Sequence, residues 1–339
     1  MNKTTRMICI LLSLLLALSL PLYVPSGALT EEGRNRLMDE CSNEEEQGAF
    51  DQFFSLLRLV MPTAYAVAET DVAAVSPLPF DLSPGLAPDP AGYTDAGYQD
   101  ASITVKLETI EADSVIWRIA HVSIAHPSQL RTAMSKRDAY ISSMAEKNNA
   151  VIAINGDYYT NDVKKKSFEY RMGKKIRAKL NAKKDLLIID ENGDFNLFVQ
   201  SQEDEVQAFS ATGRQIINAF TFGPALVKDS ALLTTDKNYS YNPNGREPRM
   251  AIGQMAPLSY VLVLAEGRLG SQSQGVTHQE LADFMYELGC TQAFNLDGGN
   301  SATMVFNGGY YQTGRTIKNE RMQSDMIYFA TTVDSGKKD

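Results

Sequence analysis

The densest set of side chains able to do chemistry lies in residues 293–303, Ala-Phe-Asn-Leu-Asp-Gly-Gly-Asn-Ser-Ala-Thr. Strand alternation would put Asn295 and Asp297 on one face of the chain and their apolar neighbours on the other. The members that follow, small or able to donate hydrogen bonds, are Gly298, Gly299, Asn300, Ser301 and Thr303. Two successive glycines let backbone N–H groups approach an anion closely, as in a phosphate-binding nest. The segment predicts a carboxylate beside an anion site; a merely structural Asp-Gly-Gly turn is the alternative.

A second polar cluster follows the apolar run at residues 151–154. Asn155 and Asp157 are separated by Gly156, which permits a sharp turn, and Tyr158 comes next. Sheet proteins commonly build sites from polar groups at the end of a buried strand. We therefore take these four residues as candidate site residues, with Asp157 as the candidate second catalytic carboxylate. An ordinary Asn-Gly turn carrying a solvated aspartate is the alternative.

Cationic side chains supply a third signal. Arg249 opens a predicted strand and presents a planar fork suited to a phosphate or a carboxylate; a surface salt bridge is the alternative. Arg321 and Asp325 enter the last predicted strand, where they either close a site or pair with each other. Residues 164–184 hold ten basic residues and one acidic residue. This run either steers a polyanion toward the site or forms a solvated flap.

These side chains need a sheet to position them. Alternating and β-branched runs predict about ten strands, and the strongest hairpin signal is Asn192-Gly193. Two helices are predicted, at residues 127–146 from apolar spacing and at residues 277–288, where a Thr-x-x-Glu capping box opens the helix. The pattern predicts an α+β fold: a single catalytic domain with a mixed, largely antiparallel β-sheet core and a few packed helices.

Composition excludes several classes of function. The 339 residues include 32 Lys and Arg against 41 Asp and Glu, a net charge of −9. This argues against a nucleic-acid partner, because binding phosphates needs an excess of cations. Three histidines and three cysteines show no metal-ligand spacing, so we predict no cofactor and no metal ligand and leave a divalent cation open. Without Gly-x-Ser-x-Gly, Walker or His-Glu-x-x-His motifs, any hydrolysis must use carboxylates, amides and arginines. Cys290 is predicted as a buried thiol.

The N-terminus has the pattern of a secretory signal. Lys3 and Arg6 precede an apolar run, and Ser26-Gly27-Ala28 offers small residues for cleavage; an uncleaved membrane anchor is the alternative. The predicted divisions are the signal or anchor, an acidic then amphipathic segment, a Pro/Ala/Gly linker, the catalytic domain and a polar tail, at 1–28, 29–70, 71–98, 99–333 and 334–339. We expect a secreted or extracytoplasmic protein that meets a membrane only through an uncleaved N-terminus.

Taken together, these segments resemble the phosphodiester glycosidase family. The matching blocks are residues 154–156 followed by aromatics, residues 248–253 (Pro-Arg-x-Ala-Ile-Gly) and residues 295–301 (Asn-Leu-Asp-Gly-Gly-x-Ser), in the family's order. The family includes the mammalian uncovering enzyme, which removes N-acetylglucosamine from mannose 6-phosphate diesters, and many secreted bacterial proteins. Two departures stand out: Asp157 replaces a common glycine, and Asn300 begins an Asn-Ser-Ala block where Gly-Ser-Ser or Gly-Ser-Thr is commoner.

The resemblance implies cleavage of a glycosyl phosphodiester. A phosphomonoester, whose second pKa is about 6, leaves readily when the anomeric C–O bond breaks, so a strong general acid is less needed than in ordinary glycoside hydrolysis. Our hypothesis makes Asp297 the essential carboxylate and puts Arg249 on the phosphate, with Arg321 as a second candidate. The residues that would orient the substrate or act as a second carboxylate are Asn155, Asn295 and Asp157.

We therefore expect a hydrolase that releases a sugar and a phosphomonoester. Its substrates would be N-acetylglucosamine-type sugar-1-phosphodiesters or an anionic cell-wall, capsular or exopolysaccharide polymer. One alternative is a non-catalytic wall- or polysaccharide-binding protein, supported only by the departures at Asp157 and Asn300. The other is a metal-dependent phosphodiesterase that breaks the P–O bond. The intact Asn295, Asp297 and Arg249 favour the enzyme.

Overall fold

The computed structural model describes residues 76–160, 167–201 and 203–334. Every described residue belongs to one compact unit, which falls within residues 73–339. The predicted signal and amphipathic segment, the start of the linker, three lysines of the basic run and the end of the tail lie outside the described residues. Within the described part of the chain, no helix is both long and apolar enough to cross a bilayer.

A large antiparallel sheet forms the frame of the molecule. Its strands are β1 Tyr93–Thr94, β2 Gly97–Gln99, β3 Ile103–Ala112, β4 Val115–Ile124, β12 Ala225–Lys228, β13 Ala231–Leu232, β14 Arg249–Ala256, β15 Ser259–Ala265 and β16 Gln292–Leu296. Their spatial order is β1-β2-β3-β4-β15-β14-β16-β12-β13. Met250 of β14 pairs with Leu296 of β16. Arg249 and Asp297 therefore lie next to each other where these two neighbouring strands end.

Two smaller antiparallel sheets complete the β-structure. The strands of the first are β5 Leu130–Ala139, β6 Ile152–Asn155, β17 Met304–Phe306, β18 Gly309–Tyr310 and β19 Gln323–Phe329. The strands of the second are β7 Glu169–Arg171, β8 Lys174–Arg177, β9 Leu186–Asp190, β10 Phe195–Phe198 and β11 Ile216–Phe220. The spatial orders are β18-β17-β6-β19-β5 and β10-β9-β11-β7-β8. In the first of these sheets, β6 is flanked by β17 and β19, so its polar end is enclosed from both sides.

In the described part of the chain, three α-helices cover the sheets: α1 Ile141–Lys147, α2 Glu203–Ala211 and α3 His278–Glu287. The capping box predicted for α3 is confirmed, since the Thr277 side chain accepts from the Glu280 N–H and the Glu280 carboxylate accepts from the Thr277 N–H. The apolar side of α3 packs on the large sheet together with Cys290. Cys290 is a free, buried cysteine, as predicted, and burial raises the pKa of its thiol to about 12.

One apolar core joins the three sheets. Ile252 from β14, Ile154 from β6 and Leu187 from β9 all belong to it, and each is fully buried. Burial of such side chains contributes about 1.5–3 kcal/mol each. The shared core holds the polar strand ends at its border in fixed relative positions.

The α+β class with largely antiparallel sheets is confirmed. Among the described residues every strand pair is antiparallel. The described chain forms nineteen strands instead of about ten, because several strands of two or three residues leave no clear alternation in the sequence. The hairpin at Asn192-Gly193 is confirmed, with Gly193 at φ 79°.

The helix predicted at residues 127–146 is wrong over most of its length. A 3-10 turn at Pro127–Gln129 leads into β5, and only α1 is helical. β5 pairs along its length with β19. Long-range pairing therefore overrides the helical spacing of the apolar residues, which is a weak local preference.

Residues before the predicted boundary at residue 99 also take part in the fold. β1 and β2 precede it, and β2 pairs with β3. The buried guanidinium of Arg131 donates to the carbonyl oxygens of Pro79, Asp81 and Ser83 at 2.9–3.0 Å. Hydrogen bonds from this cation to backbone carbonyl groups help to fix the Pro-rich segment to the domain, and such contacts require no hydrophobic periodicity.

Candidate active site

Strand ends from two sheets meet at the candidate site. Asn155 ends β6, Asp297 directly follows β16, and Arg249 begins β14. The Asn155 Nδ2 donates to the carbonyl oxygen of Asp297 at 2.8 Å, and its Oδ1 accepts from the N–H of Thr303 at 3.1 Å. Asn155 is fully buried. It therefore ties the sheets together and positions Asp297, in place of the substrate contact predicted for it.

The carboxyl group of Asp297 has a strongly perturbed ionisation. Burial raises its pKa to about 7, and the neighbouring Asp157 charge adds to the rise, while Ser301, Tyr159 and Arg321 oppose it. The Tyr159 N–H donates to its Oδ2 at 3.1 Å. A carboxyl group that titrates near neutrality is populated in both protonation states at the pH where most enzymes work, so it suits proton transfer.

Arg321 lies beside this carboxyl group with uncommitted donors. Its guanidinium stacks on the ring of Tyr159, 4.6 Å from the ring centroid, and its Nη1 donates to the Oγ of Ser301 at 3.3 Å. The same Ser301 hydroxyl hydrogen-bonds Asp297. The other guanidinium N–H groups of Arg321 have no acceptor among the described residues. Arg321 can therefore bind an anion next to Asp297.

A cleft of about 250 Å³ opens over Asp297. Its lining residues are Phe222, Tyr241, Asn242, Glu247, Arg249, Arg268, Asp297, Gly298, Gly299, Asn300 and Arg321. Phe222 and Tyr241 stack with ring centroids 4.6 Å apart and form an aromatic wall, a surface suited to the apolar face of a sugar ring. The cleft holds three arginines and two acidic residues in a protein of net charge −9, so its charge favours an anionic ligand.

Arg249 lines the cleft but its donors are already used. It donates to the carbonyl oxygens of Val276, Tyr241, Asn242 and Gly245 and to the Nε2 of His278, at 2.6–3.2 Å. These five acceptors match the five N–H groups of a guanidinium. Tyr241 and Asn242 both have positive φ, at 68° and 55°. Arg249 therefore stabilises the strained loop that carries the aromatic wall, and it has no free N–H group for the phosphate contact predicted for it.

Asp157, the predicted second carboxylate, is directed into the protein. Its oxygens accept from the Thr221 N–H at 3.1 and 3.2 Å, and its Oδ2 lies 3.9 Å from Nη2 of Arg171. Asp325 is likewise buried, and its Oδ2 accepts from Nε of Arg171 at 2.8 Å. The predicted alternative of an Arg321–Asp325 pair is therefore replaced by an Arg171–Asp325 pair. Gly156 fits because a Cβ there would lie 2.7 Å from the Asp325 carboxylate.

The glycine pair has a packing role. A Cβ on Gly298 would lie 2.6 Å from the carbonyl oxygen of Pro248, and the N–H of Gly299 donates to that oxygen at 2.7 Å. Since the Gly299 N–H is occupied, the expected nest is not open to a ligand at that position. The glycines bring the 3-10 turn Gly299–Ser301 against β14, which sets the floor of the cleft.

Three other predicted residues lie just behind the cleft. Asn295 donates to the carbonyl oxygen of Gly223 at 2.7 Å, while its Oδ1 and the Oγ1 of Thr303 are buried without a hydrogen-bond partner. Tyr158 is buried against the aromatic wall, 5.0 Å from Phe222 between ring centroids. These residues support the site from behind.

Sequence reasoning missed several members of the site. Arg171 and Lys184 were part of the basic run, yet Arg171 is fully buried and Lys184 Nζ lies over the rings of Tyr239 and Tyr241 at 5.1 and 4.7 Å. Basic residues in a run look alike in sequence, so only the fold separates inward from outward ones. Arg268 and the aromatic wall carried no motif. No group of three or more His, Cys, Asp or Glu in the described residues is placed to hold a metal ion.

Comparison with known proteins agrees with the resemblance. The family model described as phosphodiester glycosidase matches residues 148–330. The SPbeta prophage-derived uncharacterized protein YomE of Bacillus subtilis (strain 168) is 28% identical over 173 residues, which are 50% of this chain and 26% of YomE. The chain thus matches about a quarter of the length of that curated relative.

A solved structure shares the fold. The zebrafish N-acetylglucosamine-1-phosphodiester alpha-N-acetylglucosaminidase catalytic domain, auto-inhibited by its pro-peptide, superposes with a TM-score of 0.53 at 15% identity, covering 73% of this chain and 86% of that one. The family match spans more than half of the sequence and includes Asn155, Arg249, Asp297 and Arg321. The chain belongs to the phosphodiester glycosidase family.

Proposed function

We propose that the protein is a hydrolase that cleaves the glycosyl C–O bond of sugar-1-phosphodiesters. The observation that carries the proposal is the pairing, in one cleft, of a carboxyl group whose pKa is raised to about 7 with the uncommitted guanidinium of Arg321. A carboxylate supplies the base that hydrolysis needs, and a guanidinium supplies the fork that binds a phosphate.

In the proposed reaction, Arg321 binds the phosphate and the sugar ring lies on the Phe222–Tyr241 wall. Asp297, as the carboxylate, takes a proton from the water that attacks the anomeric carbon. The C–O bond breaks and its electron pair leaves with the phosphomonoester, which Arg321 stabilises. Asp157 does not serve as a second reacting carboxylate because it accepts hydrogen bonds inside the protein.

The proposed substrates are N-acetylglucosamine-type phosphodiesters or anionic cell-wall or capsular polymers. The cationic cleft in an acidic protein supports an anionic substrate. The apolar run and small-residue site at the N-terminus support a secreted or extracytoplasmic location.

The test is hydrolysis of a panel of α-linked sugar-1-phosphodiesters by the full chain in ¹⁸O-water. We expect the label in the released sugar, and we expect Asp297→Asn to abolish release. Label in the phosphomonoester, with loss of activity in a chelator, would establish a metal-dependent phosphodiesterase instead. No turnover together with tight binding of a wall polymer would favour the non-catalytic binding protein.

A further inference from the structure

The 3-10 turn after Asp297 holds two arginines on adjacent residues. Ser301 Oγ accepts from Nη1 of Arg321 at 3.3 Å, and Asn300 Oδ1 accepts from Nη1 of Arg268 at 2.7 Å. Both arginines line the same cleft. Adjacent Cα atoms lie about 3.8 Å apart, so the turn holds both guanidinium groups in the cleft that opens over Asp297.

Arg268 is fixed in place yet retains donors. Its Nε donates to Glu247 Oε2 at 2.8 Å, and its Nη2 lies 2.7 Å from the same oxygen. These contacts and the Asn300 bond use three of the five guanidinium N–H groups. One N–H on each Nη atom has no acceptor among the described residues. Gly299 lets the guanidinium approach, since a Cβ there would lie 3.3 Å from Nη2.

Resting on the function proposed above, we propose that Arg268 is a second phosphate-binding residue and that Asn300 is the positioning residue that presents it. Arg321 and Arg268 then bind the phosphate of the substrate from two sides, with Asp297 between them and the sugar. Two arginines select a phosphodiester over a neutral glycoside, because each charge-assisted bond is lost when the phosphate is absent. The Asn300 departure from the family's common glycine thus has a function in this chain.

The test compares Arg268→Gln and Asn300→Gly with wild type in the full chain. We expect Arg268→Gln to raise KM for the sugar-1-phosphodiester and Kd for N-acetylglucosamine 1-phosphate by about tenfold or more. Affinity for N-acetylglucosamine should change much less. Asn300→Gly should give a smaller rise of the same kind, because Arg268 keeps its contact with Glu247.

The matched control is Arg246→Gln. Arg246 is also an exposed arginine paired with a glutamate, Glu280, but it does not line the cleft. We expect its KM and Kd to equal those of wild type. Hydrolysis that depends on Asp297 but shows equal KM in Arg268→Gln and Arg246→Gln would overturn the Arg268 inference and leave the proposed function standing. A wild type that binds the free sugar and its 1-phosphate equally would overturn the inference, and absent hydrolysis would separately remove the proposed function.

Discussion

Asp297 ionises in surroundings that favour its neutral form. The buried carboxyl group receives hydrogen bonds from Ser301 and from the Tyr159 N–H, and the charge of Arg321 lies nearby. These contacts do not offset the loss of hydration, so the pKa stays near 7. At the residue scale, this balance sets the pH range in which Asp297 changes from its neutral form to its charged form.

The first prediction concerns the pH dependence of kcat/KM. Because the carboxylate is the proposed base, we expect kcat/KM to fall as pH drops through about 7, where Asp297 takes up a proton. Ser301→Ala removes a contact that lowers this pKa, so the fall should begin at higher pH. The measurement is initial rate from pH 5 to 9 for both proteins. A rate that stays level down to pH 5 would exclude Asp297 as the base.

The second prediction concerns stability. The folded pKa of Asp297, about 7, lies above the ordinary value of 3.8, so the folded state binds more protons between these values and loses stability as pH rises through them. Asp297→Asn carries no such group. We expect its free energy of unfolding, relative to wild type, to increase from pH 4 to pH 8, by up to about 4 kcal/mol. Urea denaturation at both pH values measures this; a constant difference would contradict it.

The position of Asp297 in a cleft could be predicted from sequence, but which arginine keeps free donors there could not. Asn295, Asp297 and the glycines carry more polar groups than a turn needs, so the segment stands out in the sequence. Arg249 begins β14 and Arg321 lies just before β19, so the two look equivalent in sequence. They differ in whether backbone carbonyl groups fold around the guanidinium, and a strand pattern contains no information on the path of the neighbouring loop.

At the scale of elements, Arg171 from β7 stabilises the polar ends of other strands. Its guanidinium is fully buried beside Asp157 and Asp325, with Glu169 Oε1 at 3.5 Å. Desolvation is the largest effect on its pKa and lowers it, but these three carboxylates together outweigh that effect and raise it. The turn after β6 and the start of β19 are therefore positioned by a charge on a third strand.

The third prediction is that Arg171→Met lowers the free energy of unfolding of the protein. Removal of the cation leaves three buried carboxylates without its compensating charge, and breaking a buried ion pair in this way costs about 3–5 kcal/mol. Lys175→Met on β8 is the control, because Lys175 is exposed and its loss should change stability by less than about 0.5 kcal/mol. Urea denaturation of both variants is the measurement. Equal stabilities would show that the buried cluster does not support the site.

Local elements were predictable where their signals are local. The capping box of α3 and the Asn-Gly hairpin depend on residues a few positions apart, and both are confirmed. β5 depends on β19, nearly two hundred positions away. Its residues include Arg131 and Thr132, both buried, and polar residues inside a sheet erase the alternation by which a strand is recognised.

At the scale of the whole molecule, the folded unit begins earlier than composition indicates. The bridge between Leu86 and Thr331 joins the Pro-rich segment to the end of the chain's last sheet strand. Arg131 fixes the same segment through backbone carbonyls. A high content of proline and glycine therefore does not identify a linker when the backbone carbonyl groups of the segment accept hydrogen bonds from a buried cation.

The fourth prediction compares two shortened chains, 76–339 and 99–339. The shorter one lacks β1, most of β2 and three acceptors of Arg131, and it leaves β3 as an exposed sheet edge. We expect it to melt at least about 5 °C lower, since taking acceptors away from a buried guanidinium costs about 1–3 kcal/mol. Thermal denaturation by circular dichroism is the measurement. Equal melting temperatures would restore residue 99 as the boundary.

Cys290 lies between α3 and the large sheet, where no reagent in solution can reach its sulfur. A thiol-specific label can attach there only during the brief intervals in which the helix lifts away from the strands. With Cys9 and Cys41 replaced by serine, the labelling rate of Cys290 would report how often such openings occur. The labelling rate of this thiol thus measures how often α3 separates from the large sheet. That sheet contains β14 and β16, whose ends form part of the cleft.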